Sequence, residues 1–93
     1  MNRARLEAAL RETFAPTPGA LRVVVRQATD LAESGQYEAD TGRSLSADEV
    51  LEHLEDAPDG EPSLVDRWNW WVGSLEFAYG GYGEFAVRQY QEN

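Results

Sequence analysis

The sequence predicts an all-α fold, a compact bundle of four to five short helices packed around one tryptophan-rich helix. Three observations carry that expectation. Between residues 63 and 79, Leu64, Trp68, Trp71, Val72, Leu75 and Tyr79 recur at helical spacing and build a continuous apolar stripe. Hydroxyl residues stand where helix N-caps belong, at Thr17, Ser46 and Ser63, each ahead of an apolar run. The 93 residues suit a single domain, 1–93, with a thin core, since a chain of this size buries roughly 60 to 65% of its unfolded surface.

Residues 2–14 read as a short amphipathic helix, with Leu6, Leu10 and Phe14 in one row and Arg3, Glu7 and Arg11 in the row beside it. Its arginines invite docking on an acidic surface of the same protein. Pro16-Thr17-Pro18-Gly19 breaks the pattern, and Thr17 as N-cap with Pro18 at the first helical position starts a second helix. Leu21, Val24, Val25, Ala28, Leu31 and Ala32 carry its stripe to Gly35, a natural stop. Leu21, Val23 and Val25 also alternate as a strand would, but the cap, the later stripe and the stop all favour helix. Residues 36–46 read as a polar loop, and Ser46 with Glu49 as a capping box that opens a short helix through Val50, Leu51 and Leu54, ending near Asp56. The segment 57–62, APDGEP, is a turn-rich linker.

The helix over 63–79 begins with a second capping box, Ser63 and Asp66, the carboxylate also complementing the helix N-terminus. Trp70 and Phe77, seven apart, occupy another face with Gly73 and Ser74 between them. A helix apolar over more than half its circumference is either central in its domain or shared with a partner. Asn69, set among Trp68, Trp70 and Trp71, must be hydrogen-bonded if buried, and from there it would read a ligand or pin a partner. Gly80-Gly81-Tyr82-Gly83 must then bend the chain. Residues 84–91 suit a short helix through Phe85, Ala86 and Tyr90. The alternative is an α+β fold whose C-terminal hairpin, at about 75–90, pairs LEFAY with EFAVRQY.

Few residues invite chemistry. The stretch 38–49 resembles in part a calcium-binding EF-hand loop, with Glu38, Asp40, Leu45, Ser46 and Glu49 at matching positions, yet Gly42 stands where a ligand belongs and Arg43 where the turn needs glycine. A polar loop ending in a helix cap accounts for it better. His53, the single histidine, follows Glu49 by four residues, which makes an exposed ion pair. No glycine-rich loop leads to a lysine, and no cysteine exists for thiol catalysis, thiolate metal sites or disulfides. The expectation is therefore no catalytic residue, no metal and no cofactor.

Composition points to solvent. Seventeen acidic residues face eight basic ones, all arginine, for a net charge of −9, and lysine and isoleucine are absent. Acid excess spread along the whole chain resembles the cytoplasmic proteins of salt-accumulating halophilic archaea, and the missing lysine and isoleucine fit their high-GC genomes. A negative potential disfavours nucleic acid as a partner. No apolar run approaches a membrane span, and Glu7 and Glu12 fall where a signal peptide would be apolar, so a cytoplasmic location is expected.

From Arg67 to Tyr90, the segment RWNWWVGSLEFAYGGYGEFAVRQY resembles a group of small acidic haloarchaeal proteins of unknown function, in its Trp-Asn-Trp-Trp run, its Gly-Gly-Tyr turn and its aromatic tail with Val-Arg. The resemblance implies a halophile cytoplasmic protein and assigns no activity. From the residues themselves, the leading expectation is a non-enzymatic protein-interaction or self-association module forming a homo-oligomer. Its candidate surface comprises Trp68, Asn69, Trp70, Trp71, Phe77, Tyr79, Tyr82 and Arg88, aromatics and arginine being what interfaces enrich. The alternative is a small-ligand pocket between the tryptophan helix and the C-terminal segment, with Asn69 and Arg88 supplying polar recognition.

Overall fold

The computed structural model describes residues 1–58 and 63–88, within which five α-helices and one 3-10 turn follow one another without a strand. Most of the 57–62 linker, and Tyr90 with the rest of 89–93, lie outside the described residues.

Four of the five α-helices start where a side chain satisfies an otherwise orphaned backbone amide. In α1, Arg3–Phe14, Asn2 Oδ1 accepts from the Arg5 amide at 3.0 Å. In α2, Pro18–Ser34, Thr17 Oγ1 accepts from Ala20 at 3.3 Å, and the run from Leu21 to Val25 is helical, burying Leu21, Val24 and Val25. Gly35, at φ 75°, ends α2 and lets the chain re-enter a helix at once, α3, Gln36–Thr41. The polar loop expected over 36–46 is therefore helical in its first half. Its anchor is Tyr37, which is buried, while Leu45 fills the core from the turn that follows.

Ser46 caps α4, Ala47–Glu55, accepting from the Glu49 amide at 3.1 Å, and Ser63 caps α5, Leu64–Tyr79, accepting from Asp66 at 3.0 Å. Only the serine half of the first capping box forms, because the Glu49 carboxylate turns inward to Tyr37. Helix α1 packs on α2 and α4, and α5 packs on the same two. Leu6 and Leu10 from α1, Val24 and Leu31 from α2, Val50 and Leu54 from α4 and Trp68 from α5 are wholly or almost wholly buried together. Arg67 ties three elements, its guanidinium donating to the Leu54 carbonyl at 2.9 Å and lying 5.0 Å from the Phe14 ring centre.

The C-terminal hairpin is not what the described residues form. Helix α5 runs through Leu75 and Phe77 to Tyr79, and Gly83–Phe85 is a single 3-10 turn. Leu75 continues the stripe of Trp71 and Val72, so helical burial outweighs the two-residue alternation of LEFAY. The radius of gyration, 12.2 Å, agrees with the roughly 12 Å of one compact domain of this length.

Candidate functional site

Helix α5 is two-sided. Its inner stripe, Leu64, Trp68, Trp71, Val72 and Leu75, is core. On the other side Phe77 is 95% exposed, Trp70 is half-buried, and Gly73 and Ser74 lie open between them. A Cβ built on Gly73 would meet nothing within 4 Å, so the helix surface there is open. Tyr79, expected at the end of the inner stripe, is half exposed instead.

Residues 81–88 fold back on α5 as a strap, held chiefly through its backbone. The Glu76 carboxylate accepts from the amides of Gly81, Tyr82 and Gly83 at 3.3, 2.8 and 2.9 Å. Those amides, Tyr82 first, keep its carboxyl below the usual range. Trp68 Nε1 donates to the Phe85 carbonyl at 2.8 Å. Asn69 pairs with Val87 as a neighbouring strand would, its Nδ2 donating to the Val87 carbonyl at 2.9 Å and its Oδ1 accepting from the Val87 amide at 2.8 Å. Two strap side chains enter the core: Tyr82, wholly buried with its hydroxyl donating to Asp40 at 2.7 Å, and Phe85. Arg88 returns to the Gly83 carbonyl at 3.0 Å.

The eight residues expected to form one surface are thus divided. Trp68, Trp71 and Tyr82 are core, Asn69 and Arg88 fasten the strap, and Trp70, Phe77 and Tyr79 remain outward. Tyr82 is inside because the α3 helix supplies Asp40 as its partner, and sequence spacing alone does not show that helix.

A second cluster joins α3, α4 and α5. Tyr37 donates to Glu49 Oε2 at 2.6 Å, and His53 Nε2 lies 3.3 Å from the Tyr37 hydroxyl and 3.6 Å from the same carboxylate. Arg43 approaches the other Glu49 oxygen at 3.4 Å. The His53 ring stacks on Trp71 at 4.8 Å, 12° from parallel, with Tyr37 edge-on to the same indole. The His53–Glu49 pair is therefore not the exposed one expected, since Glu49 is the buried charge of the core. Burial, then the bond to Glu49, pushes the Tyr37 phenol far above its ordinary value; the Tyr37 hydroxyl chiefly, with Arg43 and His53, holds Glu49 below its own. Both shifts keep the proton on tyrosine and the charge on glutamate, the arrangement of a structural network. Glu38, at the start of the EF-hand-like stretch, lies in α3 and accepts from Ser44, so the stretch does not wrap one point.

Two clefts among the described residues bear on the site. One, of about 510 Å³, lies between the α1–α2 corner, the start of α5 and the end of the strap, and is lined by Phe14, Pro16, Leu64, Asp66, Asn69 and Arg88 among others. The other, of about 490 Å³, lies between α1 and α2, with Arg3, Arg11 and Arg22 around Leu21 and Val25. Among the described residues no buried side-chain nitrogen or oxygen lacks a partner, and no helix is long and apolar enough to cross a membrane.

The chain belongs to the WNWW domain family, whose model matches residues 1–76 and whose description spells Trp68, Asn69, Trp70 and Trp71 of α5. No curated protein and no solved structure matches the chain. The matched residues end at Glu76, inside α5 and ahead of the strap.

Proposed function

We propose that this chain is a non-catalytic interaction module that associates with a second copy of itself through the outer face of α5, in a salt-rich cytoplasm. The observation that carries this reading is Phe77, almost fully offered to solvent two helical turns beyond the half-buried Trp70. Covering an exposed phenylalanine contributes about 1.5–3 kcal/mol, and the open space over Gly73 leaves room for a facing helix to approach. Charge argues for the same place. In a chain of net charge −9, two copies meet most easily where like charges are fewest, and α5 carries none from Trp68 to Leu75. Glu76, which follows, is turned toward the strap amides.

A small-ligand site remains the competing reading, supported by the 510 Å³ cleft beside Asn69 and Arg88. Against it, Asn69 uses both amide atoms on Val87, and Arg88 is engaged with Gly83. Sedimentation equilibrium in molar KCl tests the choice. The wild type is expected at twice its 10.4 kDa and Phe77→Ser at the monomer mass, still folded, with a melting temperature that no longer depends on protein concentration. A wild type that stays monomeric throughout sinks the self-association reading, and a small molecule retained in native mass spectrometry would transfer the site to the cleft.

A further inference from the structure

The strap is held as a bound peptide is held. Of its bonds to α5, each uses a strap backbone atom: the amides of 81–83 on Glu76, the Phe85 carbonyl on Trp68, and both polar atoms of Val87 on Asn69. Among the described strap side chains Tyr82 and Phe85 are the buried ones, Tyr82 completed by Asp40, while Ala86 and Val87 pack partly buried against the core. Backbone readout with two side-chain anchors is how grooves take extended segments from another chain.

The link to α5 is of a different kind. Gly80 and Gly81 stand at φ 78° and 84°, a region closed to most side chains, and a Cβ on Gly81 would come within 3.1 Å of Gln36 Nε2. The groove bonds hold a strap from either copy, whereas closure onto the strap's own α5 also requires the conformation of these two glycines. We propose that the groove of Trp68, Asn69 and Glu76 also receives the strap of a second copy, so that two chains exchange residues 82–88 about the hinge at Gly80 and Gly81. An exchanged pair keeps the contacts of residues 82–88 and changes those of the hinge, where the Gly81 amide meets Glu76 and the Gly81 carbonyl accepts from Gln36 Nε2 at 2.8 Å. So limited a change is why such exchange costs little. Trans pairing competes with a local concentration of roughly millimolar for so short a tether, so the wild type closes on itself when dilute. This contact is independent of the Trp70–Phe77 face.

The test removes closure while leaving the groove and residues 82–88 intact, at the loss of the single bond from the Gly81 amide to Glu76. In a Phe77→Ser background, which disables the outer face, Gly81→Pro bars the positive φ that closure requires. Sedimentation velocity at tens of micromolar is expected to show a dimer, and the synthetic peptide of residues 82–88 to convert it to monomer. Adding Asn69→Ala, which removes two hydrogen bonds, should weaken the dimer about tenfold or more. As a control on folding, Phe77→Ser chains labelled separately with donor and acceptor dyes at Ser44 are mixed near millimolar concentration, then diluted. Energy transfer that persists for minutes and is abolished by the peptide supports exchange. A folded, monomeric Gly81→Pro variant that ignores the peptide, or an absence of transfer in the dye-labelled mixture, overturns it.

Discussion

At the scale of single residues, the chain's specificity rests on polar side chains whose partners come from other elements. Tyr37 shows the consequence most directly. Its hydroxyl is the largest influence holding Glu49 below its ordinary value of 4.5. A carboxylate depressed in the folded state contributes stability that is complete above the unfolded value and is lost as pH falls through the lower folded one. Tyr37→Phe leaves the buried carboxylate one donor short, which costs about 1–3 kcal/mol at neutral pH. It also moves Glu49 back toward 4.5, so the loss of stability on acidification becomes shallower. Urea unfolding of both proteins at several pH values between about 3 and 7 measures the two effects together. Equal acid slopes would show that Glu49 is not the group responsible. The Glu49–His53 spacing was legible in the sequence, and so was the capping role of Ser46. What spacing does not reveal is that Tyr37, alone in a polar stretch, points at the same carboxylate, because the contact needs α3 to exist. Asn69 was legible as a residue that must be satisfied if buried. Its partner, the Val87 backbone, carries no side-chain signature at all.

At the scale of elements, caps and stops were the most readable features and short helices the least. Helices α1, α2, α4 and α5 start at residues whose side chains accept an amide, and each has an apolar row long enough to register. The six residues of α3 offer one buried side chain and no side-chain cap, so nothing periodic announces them. Gly35 makes that helix possible by serving two elements at once, ending α2 and turning the chain directly into α3. Gly35→Ala places a Cβ in the left-handed region, at a cost of about 1–2 kcal/mol, although nothing crowds the site. The damage is expected to concentrate in α3. Amide exchange by NMR should show residues 37–41 losing more protection than the middle of α2, around Val24 and Ala28; uniform loss across both helices would assign Gly35 to global stability alone. The same reasoning explains why the C-terminal segment was ambiguous. Its backbone is held from outside by Glu76 and Asn69, and its buried side chains among the described residues, Tyr82 and Phe85, are too few to set a period.

For the whole molecule the dominant quantity is charge. A net charge of −9 sits on a body measuring 35 × 25 × 22 Å, and the Debye length is about 10 Å at 0.1 M salt but about 3 Å at 1 M. In dilute buffer, acidic side chains on adjacent helices therefore repel one another, while in molar KCl only contact pairs interact. Screening also weakens attraction, so the sign depends on which is larger. The ion pairs with both partners exposed, Arg5–Asp48 and Arg11–Glu7, are worth about 0–1 kcal/mol each, and the pairs on Glu49 are partly shielded by burial. Repulsion among seventeen acids facing eight bases outweighs them, and stability should rise with salt. Each kcal/mol gained lifts the melting temperature of a domain this size by about 4–8 °C, so calorimetry from dilute buffer to molar KCl resolves the effect. Association would mimic it, since a partner that binds only the folded state also raises the transition. The measurement therefore belongs in the Phe77→Ser background, where the proposed face is disabled. There, replacing the exposed Glu12, Glu33 and Glu55 by glutamine should raise the dilute-buffer transition and flatten its dependence on KCl. A transition that ignores salt in the Phe77→Ser protein but follows it in the wild type would trace the salt response to assembly through α5, and away from charge repulsion within one copy.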